Sequence, residues 1–184
     1  MLAVGTTDTQ PTKGTNADSD SAPGPSKKDS AEDMKATLEN RAHLLGLRWQ
    51  YTEQPEPMGR GTIRQAAVRS LNEVNFGFPY QGAQRATLVL RVHPKHGQNV
   101  ILTIEKGQFL CRLDECSVAV RLDQGKPRDF VAVGPDNNPT TLFIRGYERF
   151  VAAARKAKKV YVEAQFYQEG TRVFEFDVSG LKRQ

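Results

Sequence analysis

The sequence predicts a mainly β protein, an antiparallel β-sandwich with one helix packed near a C-terminal hairpin and a short N-terminal helix. Three observations carry that prediction. Apolar and polar residues alternate with period two over many short runs between Leu47 and Val178, the pattern of strands with one buried face. Turn-forming Gly, Pro, Asn and Asp separate these runs at intervals of about 8–12 residues, as in a sandwich or barrel. Only two stretches show helical spacing instead.

The first of these follows a tail. From Gly5 to Asp33 the chain contains no Val, Ile, Leu, Met, Phe, Tyr or Trp. Such a segment has no apolar surface with which to offset ordering entropy, so residues 1–30 are expected to form a disordered acidic tether. An amphipathic helix is expected over 31–46. Ser30 is placed to cap it, Met34, Leu38, Ala42 and Leu45 recur at helical spacing, and Gly46 is placed to end it. His43 near its end reads as a solvated residue favoured by the helix dipole.

The sandwich domain is expected over 47–184. The runs LRWQYTE and TIRQAAVRSL flank the turn QPEPMGRG. EVNFGF places Val74, Phe76 and Phe78 on one side, with Phe76 and Phe78 expected in the core and Tyr80 capping its end. ATLVLRV, NVILTIE, QFLC, CSVAVRLD, RDFVAVG and TTLFIRG continue the alternation. The second helical stretch is YERFVAAARKAKK, with Tyr147, Phe150, Val151 and Ala154 as its apolar stripe. Its basic run of Arg155, Lys156, Lys158 and Lys159 is expected in the last helical turn, where cations suit the dipole. KVYVEAQFY and RVFEFDV, joined by QEG, make the closing hairpin.

The two cysteines, Cys111 and Cys116, are five positions apart. The spacing is not the C-x-x-C of a redox motif, and the chain's three histidines do not complete a zinc set. Strand parity predicts a disulfide at the base of a hairpin whose loop is RLDE, and a stable disulfide implies an oxidising compartment. The alternative is a pair of buried free thiols in a cytosolic protein.

Charge is unevenly distributed. Residues 1–32 hold three lysines against four aspartates and one glutamate, so the overall +5 leaves +7 on the remainder. A basic domain favours acidic partners, including nucleic acid, although a surplus of this size is ordinary. The sequence shows no phosphate-binding loop, nucleophile elbow or dinucleotide fingerprint, and no catalytic residue, metal site or cofactor is predicted. His93 and His96 in HPKHG are weighed as an acid–base or metal pair and read instead as a solvated hairpin loop. Glu175 and Asp177 share one strand face and read as solvent-facing.

Two surfaces stand out as candidate binding residues. Phe78 and Tyr80 flank Pro79 in the aromatic loop NFGFPYQG, and Arg155, Lys156, Lys158 and Lys159 form the basic run.

The runs NEVNFGFPYQGAQRATLVLRVHPKHGQNVILTIEKGQFLC, GKPRDFVAVGPDNNPTTLFIRGYERF and FEFDVSGL, with RWQY ahead of them, resemble a family of uncharacterised exported bacterial proteins and candidate lipoproteins. More distantly the pattern is similar to the invasion-associated locus B proteins and to accessory proteins of type VI secretion. The resemblance implies a β-rich periplasmic domain, often lipid-anchored through a low-complexity linker, although this sequence shows no lipobox cysteine. The resulting expectation is a non-enzymatic periplasmic module that contacts another envelope protein, with membrane contact through an N-terminal lipid anchor. The rival is a cytosolic nucleic-acid-binding domain using the basic surface.

Overall fold

The computed structural model describes residues 27–111 and 115–182. The acidic stretch 1–26, expected to be a disordered tether, lies outside the described residues, as does most of the RLDE loop.

Helix α1 spans Lys27–Leu44, starting four residues before the expected boundary, so Ser30 lies inside it and not at its first position. Its C-terminus follows the prediction. Gly46 has φ +73°; its N–H reaches His43 O at 2.9 Å, and Leu47 N–H reaches Ala42 O at 2.9 Å. These are the two bonds of a Schellman stop, which needs a left-handed residue. The apolar stripe of this amphipathic helix is largely exposed. Met34 is 65 % exposed and Leu38 60 %, because the helix meets the body only at its C-terminal end.

Eleven strands follow: β1 Gln50–Pro55, β2 Thr62–Arg69, β3 Val74–Phe76, β4 Gly82–Gln84, β5 Ala86–His93, β6 Gly97–Ile104, β7 Cys116–Leu122, β8 Arg128–Val133, β9 Thr141–Ile144, β10 Lys159–Phe166 and β11 Gly170–Asp177. Helix α2, Tyr147–Ala154, lies between β9 and β10. The mainly β, antiparallel architecture with two helices is as the periodicity predicts. Nine strands form one sheet in the order β1-β2-β5-β6-β9-β8-β7-β10-β11, and β3 pairs with β4 as a separate ribbon.

That sheet curls so that its two halves share one core. Leu88, Leu90, Val100 and Leu102 from one half join Val118, Val120, Val160, Phe174 and Phe176 from the other in a single buried cluster. The two ends of the sheet approach without forming a ladder. Leu71 N–H donates to Glu175 O at 2.7 Å. The Asn72 amide donates to Val173 O at 2.9 Å and accepts from Glu175 N–H at 2.8 Å. One side chain thus satisfies backbone groups that an edge strand would leave unpaired.

α2 carries the chain from β9 past β8 and β7 to β10. Phe150, Val151 and Ala154 are buried, with the Phe150 and Phe130 rings edge-to-face at 6.0 Å. The helix ends at Ala154, and no basic residue lies in its last turn. The basic run expected there occupies the connection instead, since Lys159 already opens β10. β10 claims that residue because Val160, Val162, Ala164 and Phe166 alternate into the core.

The outer face carries its own row of cross-strand neighbours. Ala67, Val89, Ile101, Phe143 and Val133 are directly paired in turn across five strands. This explains why Ile101 is only 8 % exposed although it faces away from the core.

Candidate functional site

The β3–β4 ribbon and the β10–β11 turn meet at one end of the sheet. Phe166 closes β10 and is buried, with its ring centroid 4.6 Å from Phe109, 5.0 Å from Phe76 and 5.9 Å from Phe174. Tyr80 is half-buried with its ring 6.5 Å from Phe76, edge-to-face. Gly107 fits here because a Cβ would press on the Phe76 ring, and its φ of +131° excludes most side chains.

Above this floor sits the aromatic loop. Gly77 N–H donates to Glu169 Oε1 at 2.7 Å, and Gln81 N–H donates to Gly77 O at 2.8 Å. Glu169 is also held by Arg172 at 3.2 Å. The loop is therefore tied both to itself and to the β10–β11 turn. Phe78, expected in the core, instead points outward at 81 % exposure. β3 stops at Phe76, so the period-two alternation that would bury Phe78 has ended two residues earlier. Tyr167 on the adjoining turn is also exposed. A single exposed apolar residue is ordinary on a protein surface. An exposed ring on an anchored loop over a buried aromatic floor is preorganised for contact.

The cysteines stand at this same end. Cys111 and Cys116 form a disulfide, Cα–Cα 4.9 Å, as the parity argument expects. The surrounding pairing differs from the expected hairpin. Cys116 pairs with Ala132 on β8. The 108–110 segment joins β10 instead: Leu110 N–H donates to Gln165 O, and Tyr167 N–H to Gln108 O, at 2.8 and 2.9 Å. β8 takes one edge of β7 from Cys116 on and β10 the other over Ala119–Leu122, and the preceding chain pairs with the free end of β10. The disulfide thereby ties the segment bearing Phe109 to β7.

The basic run lies at the opposite end of β10, about 23 Å away for seven residues of strand rise. Arg155, Lys156 and Lys158 are exposed and make no ion pair among the described residues. Lys159 differs, since its ammonium pairs with Glu175. The hydrogen bond to Glu175 holds the Lys159 pKa above its ordinary value. Asp123 Oδ1 accepts the backbone N–H of Lys158 and of Lys159 at 3.0 and 2.8 Å. The structure therefore does not unite the two predicted surfaces into one site, and it commits Lys159 to an intramolecular pair.

His93 and His96 do approach, with ring centroids 4.5 Å apart. Among the described residues no group of three or more His, Cys, Asp or Glu could hold a metal ion. His93 Nδ1 accepts the backbone N–H of Lys95 at 3.0 Å and faces that of His96 at 3.3 Å. That ring is consequently a turn-forming acceptor, with its proton on Nε2. Partial burial lowers its pKa, helped by His96, Arg91 and Arg60 and opposed by Glu56.

Since the folded-state value lies below the ordinary 6.5, the unfolded chain protonates first as pH falls. The stability from neutral His93 is full above that value and declines below it. Urea midpoints taken at about pH 7.5 and about pH 5.5 should show this decline, and His93→Gln should flatten it. The same slope in both proteins would remove His93 as its source.

A disulfide of this kind belongs to an oxidising compartment, not to the reducing cytosol. No described helix is long and apolar enough to cross a membrane. Comparison with models of known protein families, with curated proteins and with solved structures returns no match for this chain.

Proposed function

We propose that this chain is an exported, periplasmic, non-enzymatic module that binds another envelope protein through its aromatic end. The observation that carries the reading is Phe78, exposed on a loop that Glu169 ties to the body. Phe78 inserts as the anchor, Tyr167 supplies the adjoining apolar contact, and Tyr80 supports the loop from beneath. Ordering has already been accomplished in the free protein, so little conformational entropy is lost on contact. The disulfide favours the oxidising envelope, and the Gly/Ser/Pro-rich N-terminal stretch suits a spacer to a lipid anchor.

The test uses a photo-crosslinking p-benzoylphenylalanine in place of Phe78, with the same residue in place of exposed Lys126 as control. A defined envelope protein should crosslink at position 78 and not at position 126. With that protein purified, Phe78→Ala should weaken binding about tenfold or more, while stability stays within about 0.5 kcal/mol. Equal crosslinking at both positions, or unchanged affinity, rejects the reading.

The second reading is nucleic-acid binding, favoured by three exposed cations without ion pairs among the described residues, Arg155, Lys156 and Lys158. It demands affinity that falls steeply with salt.

A further inference from the structure

A cleft separate from the aromatic end opens between the C-terminal half of α1, the start of β1 and the chain around Gly180. Its volume is about 720 Å³, within the usual range for small-molecule sites. We infer that this cleft binds a small organic carboxylate with an apolar body, the carboxylate set against Lys182 and the body against Trp49 and Tyr51.

The walls supply aromatic surface and charge. Trp49 and Tyr51 contribute aromatic surface. Tyr51 is fixed in place, its hydroxyl donating to Gly180 O at 3.3 Å and accepting from Lys182 N–H at 2.8 Å. The lining charges do not cancel. Arg48 and Glu39 neutralise each other at 3.1 Å. Lys182 Nζ, 5.6 Å from the Tyr51 ring centroid, has no acidic partner among the described residues. Among the described residues the lining therefore carries one uncompensated positive charge, which selects an anion over a cation.

Trp49 is set deeper than Tyr51, which is 37 % exposed. It is only 7 % exposed, and its Nε1–H has no hydrogen-bond partner among the described residues. An indole N–H can only donate, and leaving such a donor buried and unpaired is costly. Native structures seldom tolerate this without a reason in function or in a missing partner. The N–H is itself sealed from solvent, so a ligand in the cleft does not reach it without movement of the ring. A neutral apolar ligand would leave Lys182 without a counter-charge.

Trp49 is the only tryptophan in the chain, so its emission reports on this cleft without interference. The full chain is titrated with octanoate, and in parallel with octanamide as the uncharged isostere. Octanoate should change the emission saturably. Losing one charge-assisted contact should weaken binding roughly tenfold, both for octanamide on the native chain and for octanoate on Lys182→Ala. Lys182→Ala keeps the backbone N–H that holds Tyr51, and Lys126→Ala, outside the cleft, should bind octanoate as the native chain does. The inference is overturned by no saturable change up to about 10 mM octanoate, by equal affinity for octanamide, or by an unchanged affinity in Lys182→Ala.

Discussion

Replacing Phe166 with alanine is expected to lower the free energy of unfolding by about 3–5 kcal/mol, read from urea denaturation. Phe166 is 2 % exposed, and its ring lies within 6 Å of three other aromatic rings, Phe76, Phe109 and Phe174. Removing it forfeits the transfer energy of the ring and leaves a cavity. Tilted and edge-to-face ring pairs add about 0.5–1.5 kcal/mol each beyond burial. The neighbours cannot collapse freely, because each arrives from a different part of the chain: Phe76 from the β3–β4 ribbon, Phe109 from the segment before the disulfide, Phe174 from β11. A domain with about 5–15 kcal/mol of stability survives the loss with a reduced margin. Phe166→Leu, which refills part of the space, should lose less. A loss below about 1 kcal/mol for Phe166→Ala would mean that this cluster does not hold the end of the sheet together.

Removing the disulfide is the second large effect. Cys111→Ser combined with Cys116→Ser is expected to cost on the order of 2 kcal/mol, since the loop it closes is short. For a chain of this size that is a fall in melting temperature of about 4–8 °C. The damage should also be local. Leu110 N–H and Tyr167 N–H bond across the junction between the 108–110 segment and β10. Their hydrogen exchange should accelerate more than that of Val100 or Leu102 at the sheet centre. A uniform change across all amides would show that the bond acts only on the unfolded chain. Chain purified from an oxidising compartment with a mass showing two free thiols would remove the premise.

Both substitutions act on the end of the sheet that carries Phe78. The proposed contact loop rests on Phe76 and Phe166, and the disulfide secures Phe109 beside them. Weakening either support should loosen the Phe78 loop before it unfolds the body, so binding affinity is the more sensitive readout.

The strands were largely legible because a half-buried strand writes its geometry into its own residues. β5, β10 and β11 alternate apolar and polar positions, and their inward residues are buried as parity predicts. Cys111 and Cys116 were legible for a related reason, since five positions of chain let a tight loop bring two cysteines within bonding reach, although the ladder expected to hold them is absent. The Schellman stop at Gly46 is likewise local, formed within six residues of chain. Phe78 was misread because parity was carried past Gly77, where the strand had already ended. β4, with the sequence Gly-Ala-Gln, has too little side chain to show any period.

Composition and local pattern by themselves determined a mainly β antiparallel domain, two helices, one cysteine pair and a basic surplus on the folded part. Tertiary structure alone decided the strand order, the pairing of 108–110 with β10 and the separation of the basic run from the aromatic loop. It also placed Lys159 against Glu175 and opened the cleft beside Trp49. The division has one physical cause. Parity and propensity act between residues a few positions apart, whereas strand neighbours and ion pairs join segments far apart in sequence, through backbone groups that every residue carries alike.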